Sequence, residues 1–364
     1  MIRRPPRSTL DRSSAASDVY KRQTQHSVKT LMESGVQADI LVCRTEHELS
    51  DEIKEKLARF CNVNVDCVNE SIDVNTIYDV PNHMYHEGLD KVALTKLKLN
   101  YNKPNLIAWN DFLNKYKNPK DSVNIALIGK YVELQDSYKS ILESFIHAGA
   151  VNEVDVNIVP LHSEHITSAN VQEKLESFNG ILVAPGFGER GVEGKIEAIK
   201  YVRLNKIPFF GICYGMQMAV IEYARNVLKL VGANSTEVNP STKNPVIDLM
   251  EDQKSITDKG GTMRLGSWKC NVKKETLCHS VYKRENIDER HRHRYELNNK
   301  YLNMLEDNGL IASGKNNDTN LVEVIEIKDH PWFLGVQFHP EYKSTVLSPH
   351  PLFVSFVNLS LIHI

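Results

Sequence analysis

A cysteine between two glycines is the first feature of this sequence that could do chemistry. Cys213 lies in the segment Gly211-Ile212-Cys213-Tyr214-Gly215, between a stretch typical of a buried strand and one typical of a helix. Flanking glycines permit the sharp turn that presents a nucleophile, and the following helix N-terminus favours the thiolate. Backbone N–H groups at such a turn can also bind an oxyanion. The segment predicts a nucleophile, although buried cysteines are also common in cores.

The second feature is an imidazole close to a carboxylate at the end of an apolar strand. The segment Gln337-Phe338-His339-Pro340-Glu341 follows the strand-like stretch WFLGV. Positions i and i+2 of an extended chain face the same side, so the Glu341 carboxylate can orient the imidazole of His339. A histidine after a strand is more often structural, but a cysteine turn at the end of a neighbouring strand favours a catalytic triad.

The elements that must position these groups follow an alternating pattern. Strand-like stretches VNIALIGK, VDVNIVP, GILVA and IPFFG alternate with amphipathic helical stretches from residue 122 onward. This order predicts an α/β fold with an open, mostly parallel sheet and helices on both faces. In such sheets ligands bind beyond the carboxyl ends of the strands, where both candidate segments lie.

The chain is expected to divide into five segments. Residues 1–23 and 358–364 lack regular patterning and are interpreted as a non-native leader and tail. Residues 24–99 hold a helix, a single strand and a second helix, an incomplete α/β unit that lacks partner strands. Residues 100–121 are rich in Asn and Lys, as in a linker, and residues 122–357 form the main domain.

Composition narrows the class of protein. The 364 residues carry a formal net charge of -2, with 41% hydrophobic and 25% charged residues. Without a basic tract, nucleic-acid binding is disfavoured. No apolar stretch approaches the roughly 18 residues of a membrane span. The six cysteines are irregularly spaced, which favours a reducing compartment over a disulfide framework. We therefore expect a cytoplasmic protein that binds neither nucleic acid nor membrane.

The two candidate segments together carry a family resemblance. GICYGMQ combined with GVQFHPE resembles the class I glutamine amidotransferases, whose triad is Cys, His and Glu. Other segments resemble the CTP synthase family within that class: IALIGKYVELQDSYKSILESFIHAGA, GFGERGVEGKIEAI, ANSTEV, GGTMRLG, ERHRHRYELNN, HPLFVSF and TQHSVKTLMESGVQADILVCR. The resemblance covers roughly residues 24–357, and residues 24–99 resemble the end of the family's synthetase domain.

The resemblance implies roles for particular residues. Cys213 becomes the nucleophile, His339 the general base and then acid, and Glu341 its orienting partner, with no cofactor in this domain. Backbone N–H groups of Gly186 and Tyr214 become the oxyanion hole. Residues expected to bind L-glutamine are Gly186, Tyr214, Gly215, Met216, Gln217, Glu237 and Arg294. A carboxylate suits the substrate ammonium and a guanidinium suits its carboxylate. By themselves Glu237 and Arg294 would be interpreted as surface charges.

The family also implies nucleotide partners. Its members use the ammonia, with ATP and Mg²⁺, to convert UTP to CTP, take GTP as an activator, and form homotetramers. The ATP and Mg²⁺ site is expected to be absent from this chain, which leaves the glutaminase half. Thr24, Gln25 and Lys56 match nucleotide-contacting positions, although Lys56 equally suits a solvated helix. The turn GFGERGVEG is expected to act as a lid.

Alternatives remain open at this point. Tyr214 stands where the family usually has Leu, so a phenol at the site could change access of glutamine. The chain could be another class I amidotransferase, or an inactive homologue that serves as a binding or assembly module. Metal binding through His291 and His293, or through Cys61 and Cys67, lacks further ligands at zinc-like spacing, so no metal is expected.

Overall fold

The structure is a computed structural model that describes residues 22–249 and 263–362. The chain divides into two compact units between Leu113 and Asn114. This boundary lies within the stretch 100–121 interpreted as a linker. Residues 1–21 of the expected leader, residues 260–262 of GGTMRLG and the last two residues of the expected tail lie outside the described residues.

The first unit contains a small parallel sheet. Its elements are α1 (22–33), β1 (Leu41–Thr45), α2 (Asp51–Cys61), β2 (Val68–Ile72), α3 (Val80–His86), α4 (Leu89–Lys96) and α5 (Ile107–Lys117), within which the boundary falls. β1 and β2 pair in parallel, so the expectation of a single strand was wrong. β2 has the sequence VNESI, in which Asn69 and Glu70 are buried, and its polar residues hide it from a hydrophobicity pattern.

The second unit begins with the alternating strands and helices that the sequence predicts. They are β3 (Asp121–Gly129), α6 (Lys139–Asn152), β4 (Val154–His162), α7 (Val171–Leu175), β5 (Gly180–Val183), α8 (Val192–Asn205), β6 (Phe209–Ile212) and α9 (Tyr214–Asn226). The remaining elements are β7 (Asn234–Ser235), β8 (Pro245–Leu249), β9 (Arg264–Val272), α10 (Leu277–Tyr282), β10 (Asn286–His293), β11 (Tyr295–Leu297), α11 (Leu302–Asp307), β12 (Leu310–Lys315), β13 (Val322–Ile327), β14 (Phe333–Val336) and α12 (Pro351–Ile362).

Nine of these strands form one sheet in the order β10-β9-β12-β13-β14-β6-β5-β3-β4. The five strands from β14 to β4 are parallel, which confirms the predicted α/β fold with a parallel core. The other four strands extend the sheet in antiparallel fashion, an extension that the alternating pattern did not predict. β7, β8 and β11 form a separate small sheet.

Helices cover both faces of the parallel core. Along β3, Ala126 and Ile128 belong to one hydrophobic cluster, whereas Ile125 and Leu127 belong to another. The first cluster includes buried residues of α8 and α9, and the second includes buried residues of α6 and α12. This alternation explains why β3 is continuously apolar from Ile125 to Ile128, since both of its faces are buried there.

The last helix extends beyond the expected end of the domain. α12 continues to Ile362, although residues 358–364 were set apart from the fold. Ser360 is fully buried, its hydroxyl donates to the carbonyl of Phe356 at 2.9 Å, and a Cβ added at Gly180 would meet its Oγ at 2.4 Å. Residues 358–362 therefore pack on the domain rather than apart from it.

Within the described residues, every helix is too short or too polar to cross a membrane. All six cysteines lie in this part of the chain, and each is a buried, unpaired thiol.

Candidate active site

The candidate site lies where two neighbouring parallel strands end. β6 and β14 are paired in parallel, and Ile212 lies opposite Val336 at their carboxyl ends. Cys213 follows Ile212 directly, and His339 follows Val336 by three residues. The sheet therefore brings together two segments that are far apart in the sequence, at the edge where α/β proteins bind ligands.

Cys213 occupies a strained turn between β6 and α9. Its backbone has φ 52° and ψ -100°, a conformation that non-glycine residues rarely adopt, and its N–H donates to the carbonyl of Val336 at 2.7 Å. A Cβ at Gly211 would lie 2.8 Å from the carbonyl carbon of Gly215, and one at Gly215 would lie 2.2 Å from the carbonyl oxygen of Val183. Both flanking glycines are therefore required by close backbone packing.

His339 is oriented from one side by a carboxylate. Its Nδ1 lies 2.7 Å from Oε1 of Glu341, and both side chains are buried. Its backbone N–H donates to the carbonyl of Arg290, and its ring stacks on Tyr342 with centroids 5.2 Å apart. Glu341 lies in a short 3₁₀ turn from Pro340 to Tyr342. Because Nδ1 is engaged by the carboxylate, Nε2 of His339 is the nitrogen left for proton transfer.

The imidazole interacts electrostatically with both of its neighbours. Burial opposes the charged form of His339, but the nearby thiol of Cys213 and then the carboxylate of Glu341 favour it. Together they raise the pKa of His339 from its ordinary value of 6.5 to about 11. A proton held on this histidine is what a thiolate–imidazolium pair requires.

Two glutamine side chains connect the nucleophile to the strand ends. Nε2 of Gln337 lies 3.7 Å from Sγ of Cys213, and Nε2 of Gln217 lies 3.3 Å from Oε1 of Gln337. Gln217 also donates to the carbonyl of Tyr295 at 2.9 Å. Sequence analysis named Gln337 only as part of the strand-end segment, whereas the structure places it in contact with the thiol.

A cavity of about 670 Å³ opens over these groups. Among the residues expected to bind glutamine, its walls include Gly186, Tyr214, Gln217, Glu237 and Arg294, together with Cys213, His339 and Glu341. The cavity is thus large enough for a small substrate and is lined by groups of both charges.

Comparisons with known proteins agree on the family. The family model described as "Glutamine amidotransferase class-I" matches residues 133–359, and the one described as "CTP synthase N-terminus" matches residues 8–99. CTP synthase of Christiangramia forsetii is 65% identical over 351 residues, which cover 96% of this chain and 64% of that protein. CTP synthase of Flavobacterium johnsoniae is 64% identical over 344 residues, which cover 94% of this chain and 64% of that protein.

The chain belongs to the CTP synthase family. Among solved structures, the glutaminase domain of Trypanosoma brucei CTPS with bound acivicin is 36% identical with a TM-score of 0.63, covering 66% of this chain and 94% of that one. The chain spans 64% of the length of the two curated CTP synthases. The match at residues 8–99 includes part of the stretch interpreted as a leader.

Glu237 has a hydrogen-bond partner within the protein. Its Oε1 accepts a hydrogen bond from the backbone N–H of Gly188 at 2.9 Å. Burial raises the pKa of Glu237, whereas this hydrogen bond and the charges of Lys130 and Arg294 act in the opposite direction. The residue expected to bind the substrate ammonium in this CTP synthase homologue therefore also holds the glycine-rich turn.

The turn from Pro185 to Gly191 is held from several sides. The hydroxyl of Tyr214 donates to the carbonyl of Gly188, and the ammonium of Lys130 donates to the carbonyl of Phe187. Lys130 also lies 4.0 Å from the ring centroid of Phe187. Tyr214 thus connects α9 to the turn expected to act as a lid.

Some residues predicted to bind glutamine or a nucleotide are not among those that line the cavity. Met216 is fully buried, and its Cβ lies 3.1 Å from the position of a Cβ at Gly335, so its side chain packs in the core instead of lining the cavity. Gly215 offers only its backbone. Thr24 and Gln25 lie half-buried on α1 of the first unit. Lys56 is exposed on α2 and pairs with Glu52, as in the solvated interpretation.

Sequence reasoning missed part of the cavity wall. Further lining residues that were not predicted as site residues include Tyr131, Ser137, Phe187, Arg292, His293 and Tyr342. Arg292 and His293 lie within the quoted segment ERHRHRYELNN, and Tyr342 directly follows Glu341. These positions were the sequence signal that could have identified them. Tyr131 and Ser137 also lie within a quoted segment, after the carboxyl end of β3, which is paired in parallel with β5.

A buried network of charges lies behind the segment that carries Arg294. Arg264 approaches Glu323 at 2.6 Å and Glu296 at 3.5 Å, and all three side chains are almost completely buried. His291 and His293 bond to each other through Nδ1 and Nε2 at 2.8 Å. Among the described residues, no three His, Cys, Asp or Glu side chains are arranged to hold a metal ion. His291 lies 3.6 Å from Glu323 and His293 lies 3.4 Å from Glu296, so both histidines adjoin this network.

Proposed function

We propose that the second unit hydrolyses L-glutamine to glutamate and ammonia. The observation that carries the proposal is the meeting of Cys213, His339 and Glu341 at the ends of β6 and β14, with Nδ1 of His339 2.7 Å from Glu341. The family membership supports the same activity.

The proposed reaction has two halves. The Cys213 thiolate attacks the side-chain amide carbon, and backbone N–H groups of Gly186 and Tyr214 stabilise the oxyanion. His339 gives its proton to the leaving nitrogen, the C–N bond breaks, and ammonia leaves a γ-glutamyl thioester. His339 then accepts a proton from water as the water attacks the thioester, which yields glutamate and restores the thiol.

We propose that Glu237 and Arg294 bind the two charged groups of the substrate. Both line the cavity that contains Cys213. A carboxylate beside the ammonium and a guanidinium beside the carboxylate are each worth about 1.5–3 kcal/mol. Because Glu237 also accepts a hydrogen bond from Gly188, binding of the substrate ammonium would connect the substrate to the glycine-rich turn.

For the complete protein, we propose that the ammonia serves the ATP-dependent amination of UTP to CTP, with GTP as an activator, in a homotetramer. This extends the activity of the named relatives to the chain. Thr24, Gln25 and Lys56 are then the described candidates for nucleotide contact, although Lys56 equally suits a solvated helix.

The decisive test measures glutamate release from glutamine by the purified chain, with and without GTP. We expect turnover that disappears in Cys213→Ala and persists in Cys278→Ala, in which a buried thiol distant in sequence is removed. Absence of turnover in a folded chain that binds glutamine would contradict the proposal and favour an inactive binding module. Turnover that persists in Cys213→Ala would contradict the assigned nucleophile.

A further inference from the structure

A buried lysine without a hydrogen-bond partner lies behind the proposed oxyanion hole. The side chain of Lys195, in α8, is completely inaccessible to solvent. Its Nζ has no hydrogen-bond partner among the described residues. Burial of an unpaired ammonium is costly, and lysine is among the residues most rarely buried in this way. We therefore expect Lys195 to serve a function that offsets the free-energy cost of its burial.

Two neighbours of the Lys195 ammonium belong to the candidate site. Its Nζ lies 4.7 Å from the ring centroid of Tyr214, within the range of a cation–π contact. The same nitrogen lies 3.4 Å from the position that a Cβ on Gly186 would occupy. Gly186 and Tyr214 are the residues whose N–H groups are proposed to bind the oxyanion. The ammonium therefore lies close to both residues.

The backbone holds Lys195 firmly in this place. A Cβ at the preceding residue, Gly194, would lie 1.8 Å from the carbonyl oxygen of Ser163. This close approach fixes the first turn of α8 against the segment after β4. The lysine side chain is thus presented from a rigid element, as preorganised electrostatic groups require.

The charge of Lys195 depends on the groups that face it. Burial and then the positive charge of Lys130 lower the pKa of Lys195 to about 7, although interaction with Cys213 acts to raise it. Such an interaction is reciprocal, so the ammonium stabilises negative charge at Cys213. The aromatic face of Tyr214 adds to the stabilisation of the ammonium.

We propose that Lys195 is a positioning residue of the glutaminase site, whose buried ammonium acts through Cys213 and the backbone of Gly186 and Tyr214. Its positive charge favours the thiolate and the oxyanion that forms during attack. This inference rests on the proposed function for the substrate, but its effect on the thiol is independent of turnover.

The test compares Lys195→Met and Lys195→Leu with Lys200→Met, a control at a more exposed lysine of the same helix. Loss of an unpaired buried charge should leave the melting temperature unchanged or higher. We expect kcat for glutamine to fall at least about tenfold with KM within about threefold. Alkylation of Cys213 by iodoacetamide, quantified by peptide mass spectrometry, should require a higher pH.

Several results would overturn the inference. One is an unchanged pH dependence of alkylation and unchanged kcat in folded variants. Another is failure of both variants to fold, because the lysine would then serve the structure. If the unaltered chain releases no glutamate, the proposed function fails, whereas the alkylation comparison still decides whether Lys195 acts on Cys213.

Discussion

At the scale of single residues, the orientation and the charge of the His339 imidazole depend on a carboxylate on one side and a thiol on the other. The 2.7 Å contact with Glu341 fixes Nδ1, so only Nε2 can exchange a proton with the substrate. The types of these residues and their spacing were predictable from the sequence. The pairing of β6 with β14 brings His339 to the same edge of the sheet as Cys213, where the two groups interact electrostatically.

Replacement of Glu341 by Gln should narrow the pH range of glutamine hydrolysis. Cys213 and Glu341 together outweigh burial and raise the pKa of His339 to about 11. The imidazolium should persist at alkaline pH in the unaltered chain. Without the carboxylate this pKa falls, so kcat/KM should begin to decline at a lower pH and be at least about tenfold lower at its maximum.

The measurement is kcat/KM between pH 6 and 10 for Glu341→Gln and the unaltered chain. Glu173→Gln removes an exposed carboxylate from α7 and serves as the control. Superimposable profiles for Glu341→Gln and the unaltered chain would refute the role of this carboxylate.

Tyr214→Phe should loosen the glycine-rich turn while the aromatic ring stays in place. The variant removes only the hydroxyl that donates to the carbonyl of Gly188 and keeps the ring near Lys195. Loss of one hydrogen bond, worth about 1 kcal/mol, should lower kcat/KM roughly fivefold. Hydrogen exchange of residues 186–191 should become faster. Unchanged exchange in the variant would show that the tyrosine does not restrain the turn.

At the scale of elements, the strand-to-helix turn of β6 and α9 depends on close backbone approach. A Cβ added at Gly215 would clash with the carbonyl of Val183, and Cys213 takes a positive φ in the single residue between the end of β6 and the start of α9. The pattern of glycines around Cys213 predicted this turn, since few other sequences permit it.

Gly215→Ala should displace α9 and inactivate the site. The added Cβ would lie 2.2 Å from the carbonyl oxygen of Val183, a backbone atom that cannot move aside cheaply. We expect a loss of at least about 2 kcal/mol in the free energy of unfolding and a loss of glutamate release. Gly232→Ala is the control, because its Cβ meets nothing within 4 Å and only its φ of 70° is strained. Equal unfolding midpoints in urea for Gly215→Ala and the unaltered chain would contradict the expectation.

Other elements escaped prediction because their buried residues are polar. β10 alternates exposed and buried positions, but the buried ones include Glu289, His291 and His293. A hydrophobicity pattern treats these as surface residues. The same holds for β2 in the first unit, where Asn69 and Glu70 are buried. In both cases buried polar groups lie close to residues that are distant in the sequence: the Glu70 N–H donates to Glu87, and His291 Nε2 lies 3.6 Å from Glu323.

At the scale of the whole molecule, the pH dependence of stability should reflect the buried histidines. Burial, followed by neighbouring positive groups, lowers the pKa of His291 to about 2 and that of His293 to about 3. In the unfolded chain a histidine titrates near 6.5, so below this pH the unfolded state binds more protons and stability falls. Burial also raises the pKa of Glu323 to about 7, which has the opposite effect.

His291→Gln isolates this contribution. Acidification from pH 7 to pH 5 should lower the free energy of unfolding of the unaltered chain by about 2 kcal/mol more than that of the variant. The measurement is urea unfolding at both pH values, and the quantity compared is the change between them rather than either absolute value. Parallel changes in the two proteins would show that His291 titrates normally in the folded state.

The sequence by itself determined the α/β class, the nucleophile turn around Cys213 and the pairing of His339 with Glu341. These features depend on local spacing and on alternation of apolar residues, which a single chain displays directly. Only the tertiary structure decided the antiparallel extension of the sheet, the bond from Tyr214 to the glycine-rich turn and the burial of Lys195 behind Gly186. Each of these features depends on contacts between residues that are far apart in the sequence. Those contacts are set by the packing of the sheet and its helices.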